Sequence, residues 1–340
     1  MTFGLRAALT SFLLATAFLA VGHAHAQQKA LLNASSDTAR EVFTAINPKF
    51  VDYWKRTSGD AVKIDQSFAP SSRQAQDIMG GKRADTVTFN QVIDIDALVK
   101  RGMVTADWSK KFPNNASPYY SATAFLVRKG NPKNIRNWDD LARTDVKLVF
   151  PNPKTSGNGR YAYLGAWLYA NEKFNGDQAQ IKSFVGKVLR NNESFATGGR
   201  AATLAFANNG QGDVLVSFEA EVSTIVKDPE FKAQGFEVVV PPVSVLSEFP
   251  VAVVDKVADA KGTRNAATAY LQFLYSREMQ QLLTTFYYRV HDPEVVKATA
   301  SQFPSVRLID PTKVLGSWDK IFEIHFAANA TLDQLLAQRR

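Results

Sequence analysis

Three short polar turns carry the chemistry this sequence offers: Ser71-Ser72-Arg73, Ser156-Gly157-Asn158 and Thr197-Gly198-Gly199-Arg200. Each sits at the start of a helical pattern, and the first two directly follow a strand-like run. Backbone N–H groups at a helix start have no partner within the helix and lie at the positive end of its dipole, so each turn is a candidate anion seat. The serines add hydroxyl donors, and the glycines let backbone approach a ligand closely. A tetrahedral dianion with no proton to give, such as sulfate, needs donors on all sides, and neutral ones suffice. A protonated phosphate also needs an acceptor, and none of the three turns contains Asp or Glu. A lone Ser-Gly-Asn-Gly is ordinary turn chemistry; its recurrence points to a ligand.

Arg73, Arg160 and Arg200 stand beside the turns. A cation in a helix's first turn is locally unfavourable. They are therefore expected to balance charge at long range or to pair with a carboxylate such as Asp37 or Glu219; surface solvation is the plain alternative. Nothing accompanies the turns that would make them an enzyme. No carboxylate pair or Ser/His/Asp set lies near them in sequence, and the chain has no cysteine. Beyond the N-terminal segment only His291 and His325 remain, in no metal-ligand spacing, so neither metal nor cofactor is expected. An exported enzyme acting on a phosphate or sulfate ester, and an adhesive or structural exported protein, are the competing classes.

The elements that must position the turns follow an α/β grammar. Short apolar runs at 30–34, 61–68, 86–89, 120–127, 146–150, 214–218 and 236–240 read as strands, separated by amphipathic segments. Pro48 is expected to kink or divide the first long helix, and Gly80-Gly81 to end the second. In the helix after Ser156, the rings of Tyr161, Tyr163 and Trp167 read as core. The reading gives a leader at 1–26, a discontinuous first lobe at 27–115 and 246–310, an inserted second lobe at 116–245, and a capping tail at 311–340. A cleft between the lobes follows.

Residues 1–26 resemble an export signal: Arg6, the apolar run Ala7 to Val21, and Ala24-His25-Ala26 as a cleavage site. Of the chain's 40 Lys and Arg one falls in this leader, leaving 39 against 32 Asp and Glu, a formal charge of +7. No dense basic run accompanies that excess, so nucleic acid is not an expected partner.

The segments LLNASSDTARE, FPNPKTSGNGRY, TGGRAAT, GDVLVSFEAEV, FEVVVPP and FPVAVVDK, with GSWDK and HFAANATLDQLL in the tail, resemble the periplasmic sulfate/thiosulfate-binding proteins that serve ABC importers, nearest to the thiosulfate-binding branch. The resemblance implies a two-lobe, type II periplasmic binding protein fold, α/β, with mainly parallel sheets flanked by helices. It implies a monomer that takes thiosulfate or sulfate and passes it to a membrane permease, and it places ligand contacts at Ser71, Ser72, Ser156, Gly157, Asn158 and Gly199. Where the sulfate binders carry a pocket tryptophan, this chain has Phe218, which cannot donate a hydrogen bond. That position is expected to admit the larger terminal sulfur of thiosulfate; simple packing at a strand end is the alternative. Molybdate and phosphate remain open as other oxyanions.

Overall fold

The structure, a computed structural model, describes residues 29–338. The leader expected at 1–26 lies outside them. The chain is organised by two sheets. In the first, four strands run in the order Val251–Val253, Thr86–Thr88, Lys29–Ser35, Val62–Phe68. The last three are mutually parallel, and Val251–Val253 pairs antiparallel at the edge. The central strand carries fully buried Leu31 and Ala34, as expected of a strand covered by helices.

The second sheet runs Arg307–Ile309, Val243–Glu248, Tyr119–Val127, Val214–Phe218, Leu148–Val149, Asn192–Ser194. Tyr119–Val127 is antiparallel to all four of its partners, whereas the last three strands are mutually parallel. Both sheets are therefore mixed, the first still mainly parallel and the second not. Tyr119–Val127 enters straight from the crossing segment, without the helical crossover that parallel pairing requires.

The segment 246–310, expected to lie wholly in the first lobe, is divided. Val251–Val253 joins the first sheet, while Arg289–Val290 and Arg307–Ile309 pair with strands of the second. The chain thus crosses again ahead of Arg289, a step the helical patterns before it do not signal.

Two helices differ instructively from their patterns. Arg40–Ser58 runs unbroken through Pro48. Buried Val42, Phe43, Ile46 and Phe50 fix both halves to the core and outweigh the one backbone bond that proline removes. Gly157–Lys173 has no solvent face: thirteen of its 17 residues are buried. Its rings are core, as expected. Tyr163 Oη lies 2.9 Å from His325 Nδ1, and Trp167 meets the same imidazole edge-on at 4.6 Å.

Candidate functional site

Each sheet contains a block of three adjacent parallel strands, and each of these six strands ends in a polar turn that starts a helix. In the first sheet the turns are Ser36–Thr38, Pro70–Ser72 and Asn90–Gln91. In the second they are Ser156–Asn158, Gly198–Gly199 and Phe218–Glu219. Ligands of open α/β sheets bind beyond the carboxyl ends of the strands, and here two such edges face one another.

Close packing joins them. A Cβ on Gly157 would collide with Asn90 Oδ1 and stand 2.7 Å from Gln91 Cβ. One on Gly199 would come within 2.5 Å of Thr38 Cγ2 and 2.9 Å of Asn158 Nδ2. Gly198 lies as tightly against Asp37 and Pro70. Within the second lobe, Asn152 N donates to Ala196 O (2.8 Å) and Thr155 Oγ1 to Thr197 O (3.0 Å), tying the second and third turns together.

Of the residues expected to bind, Ser71, Ser72, Ser156, Asn158, Gly157, Gly199 and Phe218 all come to this seam, and all are buried. Their backbone amides are the free donors: those of Ser71, Ser72, Gly157, Asn158 and Gly199 donate to no protein acceptor among the described residues. The hydroxyls behave less uniformly. Ser71 Oγ donates to Asn90 Oδ1 (2.9 Å) and Ser72 Oγ to Asp94 Oδ2 (3.2 Å), so both are already engaged. Ser156 Oγ accepts from Gly159 N at 3.4 Å as the helix N-cap, which leaves its hydrogen free. Asn158 Nδ2 donates to Ser217 Oγ (2.8 Å) and Glu221 Oε2 (3.2 Å). Phe218 packs its ring between Tyr161 and Phe249, at 6.1 and 4.9 Å between centroids.

The arginines find carboxylates. Arg160 Nη1 stands 2.8 Å from Asp94 Oδ1 in a buried pair across the seam. Arg73 pairs with Asp77 on the surface, and Arg200 faces Glu41 at 3.5 Å. Asp37 engages Arg200 through the backbone: Arg200 N donates to Asp37 Oδ2 at 3.1 Å. Glu219 serves none of the three, because Arg289 holds it with bonds of 2.6 and 2.9 Å.

The seam is richer in acceptors than the turns themselves suggest. Asp37 lies against Gly198, and its buried Oδ1 has no partner. Glu221 accepts from Ser217 Oγ (2.5 Å), Thr203 Oγ1 (2.7 Å) and Asn158 Nδ2, binding three helices and a strand end into one unit. Loss of solvent pushes both carboxyls up, opposed at Asp37 chiefly by the Arg200 amide and at Glu221 by its hydroxyl donors. Among the described residues no group of three or more His, Asp or Glu could hold a metal ion.

Sequence reasoning missed Ser36, Thr38, Asn90, Gln91, Asp94, Ser217 and Glu221. The signal for Asn90-Gln91 was present: a buried strand, Thr86–Thr88, followed by a polar pair and a helix, the same grammar as the three turns chosen. Asp94 was hidden in a regular helical pattern.

The family model for bacterial extracellular solute-binding proteins matches residues 31–289. A thiosulfate-binding protein of Escherichia coli K12 is 50% identical over 332 residues, 97% of each chain. A sulfate-binding protein of the same organism is 41% identical, covering 94% of this chain and 97% of that one. Among solved structures, the sulfate-binding protein of Mycobacterium tuberculosis H37Rv superposes with a TM-score of 0.79 at 30% identity, covering 88% of this chain and all of the other.

Proposed function

The chain belongs to the sulfate- and thiosulfate-binding group of bacterial extracellular solute-binding proteins, and from that premise we propose that it captures thiosulfate, with sulfate as second ligand, in the seam between its two sheets. The observation that carries this reading is the set of free backbone amides at Ser71, Ser72, Gly157, Asn158 and Gly199, contributed by strand ends of both sheets. A dianion placed among them is held by neutral dipoles at helix starts. The two E. coli relatives, named for thiosulfate and for sulfate, support the same ligand class. The ring of Phe218 in place of a donor favours the weakly accepting terminal sulfur of thiosulfate. The protein works as a monomer in the periplasm, without cofactor, and hands its ligand to the permease of an ABC importer.

Asp37 favours a second reading. Its unpartnered Oδ1 would accept the proton of a protonated phosphate. Thermal unfolding of the anion-stripped protein with thiosulfate, sulfate, molybdate and phosphate in turn decides between them. Ligand at about 100 times its dissociation constant stabilises by roughly 2.7 kcal/mol. Stabilisation by thiosulfate above sulfate, and none by phosphate, is the expected result. A phosphate response alone would replace the reading by the second one, and turnover of a chromogenic sulfate or phosphate ester would replace both.

A further inference from the structure

The turn that closes the third parallel strand of the first sheet ends in Gln91, which is fully buried. Its Oε1 accepts from Ile93 N at 3.4 Å as N-cap of the Val92–Lys100 helix. That bond fixes which way the carboxamide faces, because an NH2 group cannot accept from a backbone N–H. Nε2 is thus the atom turned away from the helix, and it is buried without a hydrogen-bond partner. Buried donors left in this state are rare and costly.

The position of this donor gives it a use. The backbone of Gly157 lies directly on Gln91, so that a Cβ there would stand 2.7 Å from Gln91 Cβ. Gly157 and Asn158 carry the free amides of the second lobe's principal turn. On the first lobe's side the hydroxyls of Ser71 and Ser72 are spent on Asn90 and Asp94. Gln91 thus brings a buried first-lobe amide donor, unspent among the described residues, to the point where the two edges meet.

We propose that Gln91 Nε2 donates to the oxyanion held between the lobes and determines which anions the cleft prefers. The inference rests on the proposed anion capture and adds to it a residue and a rule. A donor-only group rewards a ligand that turns a bare oxygen or sulfur toward it and penalises one that presents a hydroxyl. Selection against protonated oxyanions therefore resides partly at Gln91, where it counters the acceptor at Asp37.

The test is calorimetric titration of wild type, Gln91→Glu and Gln91→Leu with sulfate, thiosulfate and phosphate at pH 6, where phosphate is largely protonated. Gln91→Glu keeps the helix cap and shape but replaces the donor by an anionic acceptor. It should weaken sulfate and thiosulfate about a hundredfold and phosphate much less, changing the ratio between them. Gln91→Leu should weaken all three about tenfold. Either folded variant binding sulfate and thiosulfate within twofold of wild type overturns the proposal. Should both variants fail to fold, the wild-type protein still decides: the assigned Gln91 side-chain amide resonances shift on adding sulfate, and their failure to move under saturation refutes the contact. Wild type that binds none of the three anions would instead sink the functional reading itself.

Discussion

Arg160 and Asp94 form a buried ion pair, 2.8 Å from Nη1 to Oδ1, between a helix that starts at the second sheet and one that starts at the first. The pair places both charges beside the proposed anion seat while presenting no net charge to it. Removing one member exposes the other, and for a fully buried pair that costs roughly 3–5 kcal/mol.

The two single substitutions should therefore differ in sign toward a dianion. Arg160→Met leaves the Asp94 carboxylate unpaired near the ligand and should weaken thiosulfate and sulfate binding about tenfold, or ~1.4 kcal/mol. Asp94→Asn leaves the guanidinium and should hold affinity near wild type or raise it at low salt. Titration calorimetry reads both; equal losses from the two changes would contradict this electrostatic account.

Gly157→Ala separates folding from closure. The added methyl would meet Asn90 Oδ1 and Gln91 Cβ of the opposite edge. The ligand-free melting temperature should stay within a few degrees of wild type, whereas affinity for thiosulfate should fall at least about tenfold, ~1.4 kcal/mol. A large drop in ligand-free stability with affinity intact would be the opposite result.

Phe218→Trp restores a ring donor in a position packed by Tyr161 and Phe249. Sulfate affinity should rise relative to thiosulfate, because sulfate oxygens accept an indole N–H better than a terminal sulfur does. The larger ring is expected to cost about 1–3 kcal/mol of stability through crowding. An unchanged affinity ratio would assign Phe218 to packing alone.

His325 predicts a pH dependence. Burial, and to a lesser degree the charge of Lys182, hold its imidazole down to about 4, against an ordinary 6.5. Between those values the unfolded chain binds a proton that the folded one does not, so stability falls as pH drops. From pH 7 to pH 5 the loss should reach about 2 kcal/mol. His325→Gln, which keeps a polar partner for Tyr163, should remove that slope in denaturant titrations at the two pH values; a slope that survives would place the titration elsewhere.

The sequence was informative wherever a residue's role is written in its neighbours. Ser156 and Gly157 announce a helix start by type and spacing, and the structure has that start. Arg160 with Asp94 shows the limit: 66 positions separate them, and Asp94 sits in a run, Val92-Ile93-Asp94-Ile95-Asp96, that reads equally well as a helix with a wet face. Only the arrival of a second lobe makes that face dry. Pro48 misleads for the reverse reason, since its local penalty is real and tertiary burial overrides it. The extra crossing before Arg289 leaves no mark because a two-residue strand, Arg289–Val290, has no periodicity to read.

The bonds from Asn152 to Ala196 and from Thr155 to Thr197 have a kinetic meaning. They tie two of the proposed donor turns into one landing platform before any ligand arrives, so the ordering entropy of that half is spent during folding. On the proposed function, capture is then a two-step event: collision with a finished platform at a rate set by diffusion and charge, followed by a unimolecular closing of the other lobe. Dissociation must reverse the slow step first, so changes at the Gly157–Asn90 seam should alter residence time far more than arrival rate.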